Sequence, residues 1–128
     1  MKTIKKKVTQ MNKQTSTILK SVTRPGRYSG GEYGQIIKDK RKIKARFAFC
    51  FPDTYEIGMS NLGMRILYGV LNREDDVWCE RVYDPWIDMQ EKMREHGLPL
   101  CACESGDPIN EFDMIGFTLQ YEMSYTNV

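Results

Sequence analysis

The residues best suited to ligand chemistry lie in residues 53–63, directly after a run of apolar residues. Polar side chains suited to a ligand contact occur there at Asp53, Tyr55, Glu56, Ser60 and Asn61. Glycines in such a loop allow close approach of the backbone, and free amides at a helix start suit a phosphate or an amide-bearing ligand. The sequence therefore predicts a ligand-binding loop. The alternative is that the glycines only let a helix pack closely on a sheet.

Nucleotide-binding motifs are not indicated in this loop. Gly58 and Gly63 have the spacing of a phosphate-binding loop, but Met64 and Arg65 occupy the positions of the Lys-Ser/Thr pair. No Gly-x-Gly-x-x-Gly follows the apolar run, so dinucleotide binding has no support either.

A second group of polar residues follows a later apolar run, residues 113–119. Gln120, Tyr121 and Glu122 leave this run, and with Thr118 they form a candidate opposite wall of the same cleft. Such an arrangement is expected if both runs are parallel strands, because ligands bind outside the carboxyl ends of such strands. The alternative is a helix start in which these residues act as caps.

Catalytic and metal sites are not predicted within this chain. Cys101 and Cys103 have the wrong spacing for a zinc knuckle or a thioredoxin-like pair, and we expect them to pack. His96 is the sole histidine and lies near a predicted helix end, where a helix dipole stabilises it. No Ser-His-Asp, Cys-His or two-metal set can be assembled, which indicates a binding module.

A glycine-rich loop precedes these elements. Residues 25–34 hold four glycines and one proline, which marks a turn-rich loop. It is interpreted as a linker that bends an N-terminal arm onto the domain. The alternative is a phosphate-facing or interdomain loop whose contacts are Arg27 and the tyrosines.

The elements that position these residues follow from the apolar pattern. Strands are predicted at residues 46–51, 77–82, 98–103 and 113–119, the third of them a weak edge strand. A helix is expected from Ser60 or Asn61 to Leu71, with one of the first two as its cap. Its predicted buried stripe is Leu62, Ile66, Leu67, Val70 and Leu71.

A second predicted helix begins at Asp84-Pro85, with Asp84 as its cap, and ends at Gly97. Trp86, Met89 and Met93 are expected to face inward. Another helix is expected to begin within residues 120–128, and a short one over residues 10–22. This alternation predicts an α/β fold with a doubly wound, mostly parallel sheet, incomplete at the C-terminus. We expect the isolated chain to be poorly soluble or oligomeric, because its last strand lacks a covering helix.

Charge divides the chain in two. Residues 1–46 hold 14 of the 19 Lys and Arg residues and 2 of the 17 acidic residues, a formal charge of +12, and residues 47–128 carry −10. The predicted organisation is a basic arm with a short helix (1–24), a glycine-rich loop and basic linker (25–45) and an α/β domain (46–128). A basic arm attracts nucleic acid; the simpler interpretation is an arm lying against its own acidic body.

The cell compartment follows from what the sequence lacks. No segment reaches the roughly 18 apolar residues of a membrane span, and no apolar stretch follows the basic N-terminus as in a secretory signal. We therefore expect a cytoplasmic protein without a membrane partner, whose four cysteines are thiols rather than disulfides.

Several segments together resemble the N-terminal region of radical S-adenosylmethionine (SAM) proteins that carry a cobalamin-binding-type domain. The most specific is Phe51-Pro-Asp-Thr-Tyr-Glu-Ile-Gly-Met-Ser-Asn-Leu-Gly63. The others are Pro25-Gly-Arg-Tyr-Ser-Gly-Gly-Glu32, Ile66-Leu-Tyr-Gly-Val-Leu-Asn72, Cys79-Glu-Arg-Val82, Pro85-Trp-x-Asp-Met89 and Phe112-Asp-Met-Ile-Gly-Phe-Thr-Leu-Gln-Tyr-Glu122. The resemblance covers about residues 18–128 and is to a largely uncharacterised subfamily.

This resemblance implies a flavodoxin-like, Rossmann-like domain followed by a radical domain, its partner in the same protein. That radical domain would hold the [4Fe-4S] cluster and SAM, because the chain itself has no Cys-x-x-x-Cys-x-x-Cys. Cobalamin is the implied ligand here. The cleft residues implied are Tyr55, Gly58, Met59, Ser60, Asn61 and Leu62 on one wall, and Thr118, Gln120 and Tyr121 on the other.

The chain lacks the Asp-x-His-x-x-Gly signature that supplies a histidine to cobalt in other families. A bound corrinoid is therefore expected to have no protein histidine on its metal. The alternatives are a domain that keeps the fold without the ligand, and a non-catalytic scaffold or interaction module with a nucleic-acid-binding arm.

Overall fold

A computed structural model describes residues 15–128 as an α/β fold around a three-stranded sheet. The strands are β1 (Ala45–Phe51), β2 (Val77–Tyr83) and β3 (Met114–Phe117), and their order is β2-β1-β3. Both pairings are parallel. The predicted fold class is confirmed, and the sheet matches the first three strands of the flavodoxin-like order 2-1-3-4-5.

β1 is the central strand because its apolar residues are covered on both faces of the sheet. Phe49 and Phe51 pack on one face, and Ala48 and Cys50 pack on the other. An uninterrupted apolar run is the pattern expected of a strand in this position. The predicted strands at residues 46–51 and 77–82 are confirmed to within one residue at each end.

Two helices, rather than a loop and one helix, follow β1. The helix α1 (Tyr55–Ser60) lies where a loop was predicted, and α2 (Leu62–Asn72) follows after Asn61. The Asn61 side chain accepts a hydrogen bond from the Met64 amide at 2.9 Å, so Asn61 is the cap of α2. Ser60 is not a cap, because its hydroxyl donates back to carbonyl oxygens within α1.

The predicted buried stripe of α2 is wrong. The side chains that face the sheet are Met64, Tyr68 and Asn72, and Leu71 is partly buried. Exposure is substantial at the predicted positions: 67% for Leu62, 55% for Ile66, 49% for Leu67 and 47% for Val70.

Polar contacts explain this orientation of α2. The Asn72 side chain donates to the carbonyl oxygens of Tyr68 and Cys79 and accepts from the Cys79 amide, at 2.9–3.0 Å. The Tyr68 hydroxyl accepts from the Ile36 amide at 2.8 Å. Buried polar groups must be paired, so these bonds fix the face that α2 turns to β2.

The helix after β2 is α3 (Ile87–His96), and it begins later than predicted. Its first flanking residue is Trp86, not Asp84, and Trp86 is exposed instead of buried. Met89 is buried as expected. Gly97 ends the helix with φ 60°, a left-handed conformation that glycine adopts without strain, so that prediction is confirmed.

Residues 98–103 do not form the predicted third strand. They make one isolated antiparallel bridge, between Cys101 and Pro108. The Cys103 amide donates to the Arg81 carbonyl oxygen at 2.8 Å. The segment therefore covers the outer edge of β2 with one backbone bond in place of a full ladder.

The end of the chain differs in part from expectation. The predicted strand at 113–119 is present as the shorter β3, whose Met114, Ile115 and Phe117 are exposed. A 3-10 helix, Glu122–Asn127, occupies the place of the expected α-helix.

The N-terminal segment packs on α3. Residues 15–19 are helical, and Ile18 and Val22 form a cluster with Met89. The first part of the helix expected over residues 10–22 lies outside the described residues. The boundaries predicted between arm, linker and domain stay predictions.

Basic residues between 24 and 46 pair with the acidic second half of the chain. The pairs are Arg24 and Arg27 with Glu56, Lys40 with Asp107, Lys44 with Asp76, and Arg46 with Glu80 and Asp107. Part of the described charge division is thus balanced by ion pairs within the molecule, and the lysines of residues 1–14 lie outside this description. All four cysteines are free thiols. Within residues 15–128, the helices are too short or too polar to cross a bilayer.

Candidate functional site

The topology places a switch point between the carboxyl ends of β1 and β3. The chain leaves β1 to form β2 on one side and leaves β2 to form β3 on the other. In open parallel sheets, the crevice at such a reversal is where ligands bind. The loops that enter it are those after Phe51 and after Phe117.

Hydrogen bonds bring the ends of the strands together at this edge. The Tyr121 hydroxyl donates to Asp53 Oδ2 at 2.9 Å, and Asn127 Nδ2 donates to the Pro52 carbonyl oxygen at 3.0 Å. The Asp84 amide, which follows β2, donates to the Asp53 carbonyl oxygen at 2.9 Å. Asp53 thus links the loops that follow all three strands.

The carboxyl edge is electronegative. Burial raises the pKa of Asp84 above its ordinary value, and the nearby Asp53 carboxylate raises it further. The hydrogen bond to Asp53 raises the pKa of the Tyr121 phenol, which is solvent-facing. This edge therefore favours hydrogen-bond donors over anions.

Thr118 supplies a free hydroxyl at the switch point. Its amide donates to the Cys50 carbonyl oxygen at 3.1 Å, which extends the β1–β3 ladder by one bond. Its Oγ1 atom is buried and has no hydrogen-bond partner within residues 15–128. A buried hydroxyl without a partner costs free energy, so it marks a position for a ligand or a water molecule.

Only some side chains of the predicted first wall, residues 55–62, face the carboxyl edge of the sheet. The Tyr55 hydroxyl donates to Glu32, and its ring meets Tyr83 edge-on at 5.6 Å between centroids. Burial and Glu32 raise the pKa of Tyr55 to about 12. The Met59 sulfur accepts from the Tyr83 hydroxyl at 3.0 Å and from Arg81 at 3.3 Å.

Gly58 has a packing role. A β-carbon at this position would lie 2.3 Å from the Tyr83 ring, so only glycine lets α1 approach β2 so closely. This agrees with the alternative that the sequence left open for the loop glycines. Close packing accounts for Gly58 without a ligand.

The remaining predicted residues differ in their surroundings. Ser60 and Asn61 bond to α1 and α2 themselves, and Leu62 and Gln120 are exposed. The structure therefore brings Tyr121 to the β1 loop through Asp53, and it engages Ser60 and Asn61 in local helix contacts. Ligand binding by the nine predicted residues stays a prediction.

A cleft of about 490 Å³ lies beside this edge, at the carboxyl end of β2. Its walls are the N-terminal helical segment (residues 15–19), the glycine-rich loop, the end of β2, α3 and residues 98–106, and Tyr55 is the predicted site residue that lines it. The volume falls within the range of small-molecule sites. The sequence signal for this cleft was the glycine-rich loop, whose preferred interpretation was a linker.

A buried ion pair supports the wall of this cleft. Arg81 Nε lies 2.7 Å from Glu104 Oε1, and the Arg81 amide donates to Glu104 Oε2 at 2.7 Å. Burial raises the pKa of Glu104, and Arg81 opposes that shift. The pair fastens residues 103–106 to β2 and leaves Arg81 Nη2 buried without a partner in the described part of the chain.

The described residues contain no cluster of side chains that could bind a metal ion. Within 15–128, three or more His, Cys, Asp or Glu side chains do not group as a metal would require. The His96 Nδ1 atom lies 2.9 Å from the Lys92 carbonyl oxygen, in the last turn of α3. Burial raises the pKa of the Cys50 and Cys101 thiols to about 11, so neither is an activated nucleophile.

These features describe an α/β domain with a candidate ligand site at the carboxyl edge of its sheet. The family described as radical SAM proteins, N-terminal, matches residues 63–128, slightly more than half of the chain. This chain belongs to that family, as the N-terminal region of a radical SAM protein. No curated protein and no solved structure matches the chain.

Proposed function

We propose that this chain is the cobalamin-binding-like N-terminal domain of a radical SAM enzyme. Family membership supports the radical SAM part of this assignment, and radical SAM proteins carry SAM and a [4Fe-4S] cluster in their catalytic domain. That domain is proposed to lie beyond this chain, because the four cysteines here lack the Cys-x-x-x-Cys-x-x-Cys spacing. The radical domain of the same protein is the proposed partner.

The observation that carries the proposal is the unpaired Thr118 hydroxyl at the switch point. A corrinoid presents many carboxamides at its rim, and these both donate and accept hydrogen bonds. Thr118, Gln120 and Asp53 offer matching groups at the carboxyl edge. The residues there thus fit contacts to the ring periphery.

Cobalt would receive no histidine from the described residues, because His96 is in α3 and bonded to its own helix. Cobalamin supplies radical or alkyl-transfer chemistry when bound, and the protein contributes binding and orientation. In this domain, Tyr121 and Asp53 would hold the rim of the ligand, and Thr118 would donate to it.

The test is a titration of the intact protein with hydroxocobalamin, followed by visible absorption. We expect a shifted spectrum at stoichiometric binding, and a weaker complex for Thr118→Val than for Thr118→Ser. Loss of one hydrogen bond to a neutral group corresponds to about 0.5–1.5 kcal/mol, roughly a two- to tenfold change in Kd.

A matched pair of tyrosines gives the control. Tyr121→Phe removes the bond to Asp53, whereas Tyr125→Phe changes an exposed tyrosine in the 3-10 helix that follows Tyr121. Only the first is expected to weaken binding. An unchanged spectrum with the intact protein would instead support a domain that keeps the fold without the ligand.

A further inference from the structure

The glycine-rich loop forms part of the 490 Å³ cleft at the carboxyl end of β2. Arg27, Gly30 and Gly31 line one side, and Met89, Met93 and Leu98 line another. Thr118 and Tyr121 do not line it. The cleft therefore adjoins the proposed corrinoid site, and Tyr55 of the predicted first wall lines it.

The loop presents free amides with anion-binding geometry. Ser29 is right-handed helical (φ −79°, ψ −19°), and Gly30 follows in the left-handed region at φ 64°. Successive residues of this kind form a concave nest of N–H groups that binds anions. Within residues 15–128, the amides of Gly30 and Gly31 donate to no acceptor.

The nest is fixed in place by close packing. A β-carbon at Gly30 would lie 2.9 Å from the Cys103 carbonyl oxygen, and its φ disfavours any other residue. Cys103 is itself bonded to β2 through its amide. The loop is thus held against the cleft wall by a contact between residues 73 positions apart in sequence.

Arg27 adds a fixed positive charge to this side. Its Nε atom donates to Glu56 at 2.8 Å, and its guanidinium carbon lies 5.4 Å from the centre of the Trp86 ring. Only 13% of its side chain is exposed. The contact with Glu56 uses Nε, which leaves the two Nη groups for a further acceptor.

The rest of the cleft is suited to an uncharged part of a ligand that carries hydrogen-bond donors. Met89 is buried, and Met93, Leu98 and Leu100 are partly buried beside it. Asp84 also lines the cleft and accepts from Gln90 Nε2 at 3.3 Å, which leaves further acceptor capacity on its carboxylate. The cleft therefore offers an anion site, an apolar floor and a hydrogen-bond acceptor.

We propose that this cleft binds a nucleoside monophosphate or a molecule of the same build. The phosphate would lie at the nest of Gly30 and Gly31 beside Arg27. The base would lie on the methionines, and hydroxyl or amino groups would donate to Asp84. This nucleotide site differs from the corrinoid site in its main contacts, which are Arg27, Gly30 and Gly31 instead of Thr118 and Tyr121.

The experiment is calorimetric titration of the full chain with adenosine monophosphate, adenosine and inorganic phosphate. We expect adenosine monophosphate to bind at least about tenfold more tightly than either fragment, because charge-assisted phosphate contacts contribute over 1.4 kcal/mol. Equal affinities for the nucleotide and for adenosine would overturn the phosphate assignment. If inorganic phosphate bound as tightly as the nucleotide, the proposed contact between the base and the methionines would be wrong.

Two arginines provide the matched control. Arg27 and Arg24 both pair with Glu56, but only Arg27 lines the cleft. Arg27→Gln is expected to lower the affinity for adenosine monophosphate about tenfold or more, and Arg24→Gln to leave it within about twofold. Equal effects of both changes would overturn the proposal.

Asp84→Asn keeps the test informative if Arg27→Gln unfolds the chain. This variant is expected to retain phosphate-dependent binding and to lose affinity for the nucleoside part. Unchanged affinity for both adenosine and its monophosphate would contradict the role of Asp84. The hydroxocobalamin titration is read separately, because it depends on Thr118 and Tyr121.

Discussion

The Arg81–Glu104 pair allows a sharp prediction on stability. Both side chains are buried, with exposed fractions of 8% and 0%. Glu104→Gln removes the negative charge and leaves a buried guanidinium without a counter-charge. Breaking a buried pair in this way costs about 3–5 kcal/mol, because the remaining charge stays desolvated.

Arg81→Met is expected to cost a similar amount, since it leaves the Glu104 carboxylate without its cation. The double variant Arg81→Met/Glu104→Gln removes both charges. Its glutamine oxygen can still accept from the amide of residue 81, as Glu104 Oε2 does at 2.7 Å. We therefore expect the double variant to lose no more than about 2 kcal/mol, since apolar replacement of a buried pair is often neutral or stabilising.

The assay is urea denaturation of the three variants and the parent chain, with the free energy of unfolding taken from midpoint and slope. The prediction is strong non-additivity, with the double variant more stable than either single one. A double variant whose loss equals the sum of the two single losses would refute the reasoning. Small losses of about 0–1 kcal/mol for both single variants would show that the pair behaves as an exposed one.

Three further predictions concern the edge of the sheet, the linker and α2. Because burial and Asp53 raise the folded-state pKa of Asp84, its ionised form opposes folding. Asp84→Asn should therefore unfold at higher urea than the parent at pH 7, with the difference shrinking as pH falls toward 3; an increasing difference would contradict this. Lys38 donates to three carbonyl oxygens at 2.6–2.9 Å, so Lys38→Met should cost about 1–3 kcal/mol in thermal unfolding while the exposed Lys42→Met costs nothing measurable. Met64→Ala should cost about 2–5 kcal/mol and Ile66→Lys less than about 0.5 kcal/mol in urea; the reverse order would restore the stripe expected from the sequence.

Local sequence signals were sufficient to predict β1, the Asn61 cap and the end of α3 at Gly97. The continuous apolar run of β1 fits a central parallel strand, because such a strand is covered on both faces. Asn61 and Gly97 are a cap and a stop whose hydrogen bonds lie within a few residues. Such contacts need no knowledge of the rest of the chain.

Long-range contacts explain where sequence reasoning failed. The hydropathy of α2 favours its leucine face, but Asn72 can satisfy its amide only against Cys79 of β2. Residues 98–103 have the composition of a strand, yet their Cys103 makes one backbone bond to β2, and the Arg81 amide donates to the Glu104 side chain instead of to a second strand. Neither partner can be identified from the segment alone.

In the candidate site, too, local features could be predicted from the sequence and long-range contacts could not. The position of the β1 loop at the carboxyl edge follows from the strand pattern. The hydrogen bond between Tyr121 and Asp53 joins residues 68 positions apart, and the sequence gives no direct sign of it. The cleft beside Arg27 likewise depends on the packing of Gly30 on Cys103.

Hydrogen exchange measured by mass spectrometry, with and without hydroxocobalamin, tests the switch-point site most directly. In the intact protein we expect slower exchange in peptides covering residues 53–62 and 118–122, with little change in residues 87–96. Protection confined to residues 25–31 and 98–106, or no protection anywhere in the domain, would contradict a corrinoid site between β1 and β3.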